Sequence, residues 1–395
     1  MSHQDLRAAT SGLSQATDPF PIVVHCHLRW SSGWQRPQQI HSRLAARHPI
    51  LFIEEPIEGP EKTARLELSN PCPNVTVAHP HVPAGEPQAA REMRTLELLS
   101  QLADGPLGET FQGAAHWLTT PLMEPQIHFF RSPRAIVYDG APEGLDEREE
   151  TLLRHASVVF AGGDQRYLSR SRVYPNTHFL GGGVDYDHFR SASSRKVAED
   201  LARLPRPRLG YLGTIDERLD YRLLEELART ANATIAMVGP IVNVDPGSLP
   251  KGDNIAYLGD KPYAELPSYL AGFDVCLMPF AVNEASRFLK PTETLDFLAS
   301  GRPVLSTPIA DVVTNFGEVV HIASRDAFAT RAREILSGDR LPAGPGLEIA
   351  RRSSWDAIVA RMEAIVQRAL ASKRPSSPAL MIAPPAAAEA EQAAV

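Results

Sequence analysis

The sequence predicts an α/β protein of two doubly wound domains facing a cleft. Three observations predict it. At 395 residues the chain exceeds one ordinary hydrophobic core and suits two domains of about 150 to 200 residues each. Short apolar runs alternate with helical patterns, as a parallel sheet with crossover helices requires. The alternation falls into two series, separated by the polar, charged segment Ser191–Pro207 that Pro205 and Pro207 close.

The first series reads as strands at Ile22–His25, Pro49–Ile53, Val75–Ala78, Ala135–Tyr138 and Val158–Ala161, with a helix at Pro37–Arg47 among the helical stretches between them. The second reads as strands at Leu209–Leu212, Thr234–Val238, Ile255–Leu258, Val275–Pro279, Pro303–Ser306 and Val319–Ile322, with helices at Tyr221–Ala231 and Thr292–Ala299. The expected domains are 20–190 and 207–345, joined by a linker at 191–206 and followed by a helix within 346–372. Residues 1–19 are polar and small, and 373–395 are rich in Ala, Pro and Ser, so both ends are expected to be disordered. The last helix places Trp355, Ile358, Val359, Met362, Ile365, Val366, Ala369 and Leu370 on one face. That stripe either packs back on the body or lies on a membrane surface, aided by Arg351, Arg352, Arg361, Arg368, Lys373 and Arg374 and diluted by Asp356 and Glu363.

Composition narrows the function classes. Hydrophobic residues make up 43% and charged residues 22%, the balance of a folded globular chain. The net charge of -7 is spread over both halves with no basic stripe, which argues against a nucleic-acid partner. Cys26, Cys72 and Cys276 are too scattered for a disulfide framework or a zinc site, and fit a reducing cytoplasm. No apolar run approaches the roughly 20 residues that span a bilayer, and the N-terminus lacks a signal-peptide pattern. The expected location is cytoplasmic, with peripheral attachment at the inner membrane face as the variant that the last helix would allow.

In open sheets ligands bind beyond the carboxyl ends of the strands, so the residues just after strands are the ones to inspect. The most informative stretch is Asn283–Pro308, NEASRFLKPTETLDFLASGRPVLSTP. It follows an apolar strand, leads through Pro291 into a short helix, and ends in Gly301-Arg302-Pro303 before the next strand. The free N–H groups at the start of that helix make a ready phosphate site, with Arg287 and Lys290 just before it. Asp296, one turn in, could accept from ribose hydroxyls. The alternative is an ordinary cap with solvated charges.

This stretch resembles the donor-binding segment of the retaining GT-B glycosyltransferases related to glycogen synthase, through Asp296-Phe297-Leu298-Ala299-Ser300-Gly301-Arg302-Pro303-Val304. The resemblance implies a GT-B fold of two Rossmann-like domains, a nucleotide-sugar donor held mainly by the C-terminal half, and a helix that binds the diphosphate and ribose. Three departures stand out. Asp296 replaces the usual Glu, Glu293 stands where many members have Lys, and the paired glutamates seven residues apart are missing, with Glu284 as a substitute from a different spacing.

Further segments are similar to the same superfamily. Leu209–Asp220, LGYLGTIDERLD, looks like the opening of the donor domain, where Gly213 would allow close backbone approach and Arg218 would supply a cation. Thr214 holds the place of the usual basic residue. Arg218 could instead pair with Asp216, Glu217 or Asp220. Gly181–Phe189, GGGVDYDHF, resembles N-G-V-D-x-x-x-F, which accounts for the D-x-D string of Asp185 and Asp187 without a metal. Trp30–Gln39, WSSGWQRPQQ, is similar to a bacterial subgroup with W-x-x-R-P-Q-x-L, and Tyr138–Glu143 to a shortened acidic stretch of that subgroup. His25, His27 and Arg36 thereby face the cleft, or serve as a helix cap and partly buried histidines.

The candidate catalytic residues are therefore Arg218, Lys290, Glu284 and His27, and the candidate substrate-binding residues Arg36, Gly213, Arg287, Thr292 and Asp296. No metal and no cofactor are expected. The activity that the resemblance implies is sugar transfer from a nucleotide sugar to a glycan or lipid-linked acceptor in bacterial surface glycan synthesis. A nucleotide-sugar epimerase, a phosphorylase or a catalytically inactive sugar-binding protein are the rivals.

Overall fold

The computed structural model describes residues 18–129, 133–140, 147–284, 286 and 289–372. The chain forms two compact units, residues 1–181 with 361–395 and residues 182–360. The terminal stretches 1–17 and 373–395, with Lys373 and Arg374, lie outside the described residues, as do Ala141, Pro142 and Glu143.

The first unit is built on a nine-stranded sheet. Its strands are β1 (Ile22–Cys26), β2 (Ile50–Glu54), β3 (Ile57–Gly59), β4 (Arg65–Cys72), β5 (Val75–Pro83), β6 (Ala115–Leu118), β7 (Ala135–Tyr138), β8 (Val158–Ala161) and β9 (Thr177–Phe179). The order is β3-β5-β2-β1-β6-β7-β8-β9, with β4 added beside β5. β4 pairs antiparallel and every other described pair is parallel. β1, β2, β6 and β8 are buried along their whole length, which is why β1, β2 and β8 read as near-continuous apolar runs rather than as alternation. The order reverses at β1, between β2 and β6. The crevice at their carboxyl ends is where a doubly wound sheet takes its ligand.

The second unit carries β10 (Arg208–Leu212), β11 (Thr234–Val238), β12 (Ile255–Gly259), β13 (Val275–Met278), β14 (Val304–Ser306) and β15 (His321–Ile322). These six strands are parallel, in the order β12-β11-β10-β13-β14-β15. Here the reversal falls at β10. The helix Glu293–Ser300 fills the crossover from β13 to β14 and buries Phe297, Leu298 and Ala299, the large side chains contributing about 1.5–3 kcal/mol each. Gly301 ends it at φ 74°, a left-handed stop that glycine adopts without strain.

The segment 191–206, expected as a linker, is folded into the second unit. It holds the turn Ser191–Ser193 and the helix Glu199–Ala202, buries Leu201 against Gly272, and bonds Ala198 N to Ser268 O at 3.1 Å. The unit boundary falls at Gly181 and Gly182.

The expected single helix within 346–372 is two, Ala343–Arg352 and Trp355–Ala371. Between them Ser354 forms an isolated bridge with Val184, Val184 N donating to Ser353 O at 3.0 Å and Trp355 N donating to Val184 O at 2.9 Å. In the last helix Ile358, Val359, Met362 and Val366 are buried. Its later half groups with the first unit, where Glu363 accepts from His48 Nε2 and from Arg47 Nη2, both at 2.9 Å. Phe20 N donates to His48 Nδ1 at 3.1 Å, so the imidazole is the neutral tautomer with its proton on Nε2. No helix among the described residues is long and apolar enough to cross a membrane.

Candidate functional site

In the second unit the switch point is built from two loops and one helix start. β10 ends at Gly213, whose φ of 153° is open to glycine alone in practice. Its amide donates to Val238 O at 2.9 Å. A side chain at Gly213 would meet Tyr211 Oη at 2.9 Å and Glu293 Oε1 at 3.0 Å, so the turn lies directly under the Glu293 carboxylate.

Arg218 follows on the same loop. The alternatives left open by the sequence resolve to Asp216: Arg218 Nε lies 2.9 Å from both carboxylate oxygens, Nη2 lies 2.7 Å from Oδ2, and the Arg218 amide reaches Oδ1 at 3.0 Å. Asp220 instead caps the helix Tyr221–Thr230 by accepting from Leu223 N at 3.0 Å. The loop is tied to the one after β13 by Ala281 N donating to Arg218 O at 2.8 Å and by pairing of Leu219 with Phe280. The Arg218 side chain is anchored yet 45% exposed, so it stays open to solvent.

The helix Glu293–Ser300 supplies the acidic side. Burial pushes the Glu293 carboxyl above the usual carboxylate range, while its own amide, Arg218 and Thr292 pull it back. Burial pushes Asp296 well above that range, and the neighbouring carboxylates of Glu293 and Asp185 push it further. Asp185 is within reach of Tyr263 Oη, at 3.4 Å from Oδ2, and the Tyr263 ring stacks on His188 at 4.3 Å.

The structure thus brings Gly213, Arg218 and Asp296 together around Glu293, with Thr292 beside them at the helix start. Lys290 lies two residues before Thr292 with its side chain exposed. Arg287 lies outside the described residues. Glu284 is exposed and lines a depression with Val282, Asn283, Ser286, Pro308, Ile309 and Ala310, none of which belongs to the Gly213, Arg218 and Glu293 group. Among the described residues no group of three or more His, Cys, Asp and Glu side chains is placed to hold a metal ion.

In the first unit the two histidines after β1 differ. His25 is buried, with Nδ1 2.9 Å from Gln126 Oε1 and Nε2 3.0 Å from His116 Nδ1, and burial lowers its pKa to about 4. His27 is exposed and held at 3.0 Å by Thr119 Oγ1. His27 is therefore the one of the two that is open to solvent. Arg36 clasps Asp139, Nε at 3.1 Å from both oxygens and Nη2 at 2.9 Å from Oδ1, and donates from Nη1 to Gly181 O at 3.1 Å.

Two groups at these strand ends escaped the sequence reading. Asp139 was seen only as part of an acidic stretch, not as the partner of Arg36. Glu54 is buried at the end of β2, where it accepts from Trp30 N at 2.7 Å, Arg29 Nη1 at 3.1 Å and His79 Nδ1 at 2.8 Å. An acid closing an apolar strand is the signal that could have found it, since a buried carboxylate needs such partners.

No family model matches the chain. It is 29% identical over 137 residues to TuaH of Bacillus subtilis (strain 168), a protein assigned by name to teichuronic acid biosynthesis as a glycosyltransferase. The match covers 33% of this chain and 34% of that protein, so the chain spans about a third of that relative. Solved structures match along almost the whole chain. A sucrose-phosphate synthase from Thermosynechococcus elongatus has a TM-score of 0.61 at 15% identity, covering 89% of this chain and 99% of that one. An Escherichia coli trehalose-6-phosphate protein bound with UDP-2-fluoro glucose has 0.58 at 13%, covering 88% and 99%. Anabaena Alr3699/HepE in complex with UDP has 0.58 at 12%, covering 89% and 100%. What these structures share with the chain is its architecture: two doubly wound α/β units in the GT-B glycosyltransferase fold.

Proposed function

We propose that this protein is a glycosyltransferase that moves a sugar from a nucleotide-sugar donor to a glycan or lipid-linked acceptor in bacterial surface glycan synthesis. The observation that carries the proposal is the meeting of Gly213, Arg218 and the start of the helix Glu293–Ser300 at the switch point of the second sheet. The partial likeness to TuaH supports the surface-glycan setting, and UDP and a UDP-sugar in two structures of the same fold support the donor class.

Departure of a nucleoside diphosphate concentrates negative charge on the leaving oxygens, and preorganised cations contribute most where that charge develops. Arg218 and Lys290, with the N–H groups near Thr292, would carry that charge, and Asp296 would hold the ribose. Arg287 would join them by its place in the sequence. Gly213 lets the diphosphate approach the backbone. His27 and Arg36 would serve the acceptor side in the first unit, while Glu284 would stand in, from a different spacing, for the acid of the resembling family that this chain lacks. Retention of anomeric configuration, independence of metal and a cytoplasmic location, with peripheral contact at the membrane's inner face as a variant, belong to the same proposal.

A second reading, a nucleotide-sugar binder without turnover, is favoured by one observation, the Glu293 carboxylate standing against Gly213. Incubating the protein with a panel of nucleotide sugars separates the readings. Stabilisation by a nucleotide sugar and acceptor-dependent release of nucleoside diphosphate are expected. Donor consumed without acceptor would indicate an epimerase, binding without turnover the silent protein, and no stabilisation by any donor would overturn the proposal.

A further inference from the structure

Glu293 has the position of a ligand rather than of a wall. Its Oε1 stands where a Cβ on Gly213 would touch at 3.0 Å, in the concavity that the glycine turn leaves open. Arg218 attracts it from one side and its own amide and Thr292 bond it at the helix start. These are the groups that the proposed function gives to the donor's diphosphate. An ionised carboxylate and a diphosphate would repel each other strongly at such separation.

We propose that Glu293 is a proton-linked gate of the donor site: its carboxylate stands in for a phosphate in the unliganded protein, and a nucleoside diphosphate binds the form in which Glu293 is the neutral acid. The inference rests on the donor reading above and adds to it a charge requirement peculiar to this chain. As an acid, Glu293 changes role, because its O–H can donate to a phosphate oxygen where the carboxylate could only oppose it.

The surroundings favour that step. Facing Glu293 are Tyr211, Asp216 and Arg218 from the end of β10 and its loop, and Thr292 and Asp296 from its own helix. Asp185 acts on Asp296, and His188 is stacked on Tyr263 beside Asp185. Arg218 is already matched by Asp216, so three carboxylates, Glu293, Asp296 and Asp185, crowd one small region. Burial already holds Glu293 above the usual carboxylate range, which lowers the cost of protonating it. A diphosphate raises that affinity for a proton further. Binding therefore takes up a proton wherever Glu293 is ionised in the free protein and neutral in the complex, and affinity falls as pH rises through that window.

The test is calorimetric titration of the full chain with UDP between pH 6 and 8.5, in two buffers of different ionisation enthalpy, for the native protein and for Glu293→Gln and Glu293→Ala. Glu293→Gln keeps the shape and a donor N–H while carrying the nucleotide's own titration, so the difference from the native protein reads Glu293 alone. Proton uptake is expected in the native protein beyond that of Glu293→Gln. Its affinity should fall by up to about tenfold per pH unit relative to the variant, the limit for one linked proton. At pH 8 both variants should bind UDP at least tenfold more tightly than the native protein. The same affinity and pH profile in the native protein and Glu293→Gln would overturn the gate and leave the donor site standing. Failure of UDP, ADP, GDP and dTDP to bind any of the three proteins would instead overturn the donor reading on which the gate rests.

Discussion

Asp216 holds Arg218 through both carboxylate oxygens, and the two residues sit on a single loop that is itself fastened to the loop after β13. The pair fixes where the exposed edge of the guanidinium points. In the proposed mechanism Asp216 is a positioning residue and Arg218 the group that meets the leaving phosphate.

Replacing Arg218 by Ala should lower kcat by roughly 10²- to 10³-fold with a smaller loss of donor affinity, the scale of one preorganised charge-stabilising group. Asp216→Asn should lower kcat less, and the double variant should be no worse than Arg218→Ala, because Asp216 acts through Arg218. Steady-state kinetics near native for Arg218→Ala would place the charge stabilisation elsewhere.

Lys290→Ala should also reduce kcat more than donor affinity. Combined with Arg218→Ala, the loss should be smaller than the product of the two, since both cations serve one charge. Strict multiplicativity in kcat would mean that they act on different steps.

Asp296 should show a trade between stability and activity. Its proton affinity is raised in the fold, so its favourable contribution is complete below the unfolded carboxylate range and is lost as pH rises through the folded pKa. Near neutral pH the ionised group is a cost. Asp296→Asn should raise Tm by about 2 °C at pH 7.5, on the scale of 1 kcal/mol or less for a domain of this size. It should leave Tm little changed at pH 4, while kcat/KM falls. An unchanged Tm at pH 7.5 would show that solvent screens the acidic trio.

The first unit should be acid-labile. Burial lowers His25 and His41 to about 4, His116 well below its ordinary value, and His48 as well. Each is neutral in the fold, so its contribution is present above an unfolded pKa of about 6.5 and is lost as pH falls towards the folded values. Hydrogen-exchange protection factors should therefore fall in β1, β6 and the end of the last helix between pH 7 and 4.5, before they do in β10 and β11. Simultaneous loss of protection in both units would contradict this.

Turnover should survive excess EDTA, because the charges assigned to the leaving group are those of side chains and helix amides. Activity that collapses with chelator and returns with manganese would bring Asp185 and Asp187 into the reaction.

The strands legible in the sequence were those written as unbroken apolar runs, most of them buried and β12 only half-buried. β7, β8 and β11 coincide with the apolar runs read for them, and β1, β10 and β12 differ by one residue at one end. β6 escaped because His116 interrupts its run, and only the structure reveals that His25 Nε2 meets His116 Nδ1 inside the sheet. β4 escaped because it is a largely exposed edge strand held by backbone pairing to β5, with no apolar period to betray it. At the candidate site, Gly213, Arg218 and Asp296 were legible from their places after strands and at a helix start. Which acid holds Arg218, and that His25 is enclosed while His27 is open, depends on contacts between distant segments, to which local spacing is blind.

The first unit draws its chain from both sides of the second, through residues 1–181 and again from Arg361 onward. During synthesis the second unit therefore has all of its residues before the first has its last helix. For the time needed to add 361–371, His48 and Arg47 await Glu363, and the stripe that Met362 and Val366 will cover stays open to solvent or to a chaperone. The order of assembly thus ends with the helix that closes the first unit, so shortening the chain before Glu363 would damage the fold at residues more than three hundred positions upstream of the cut.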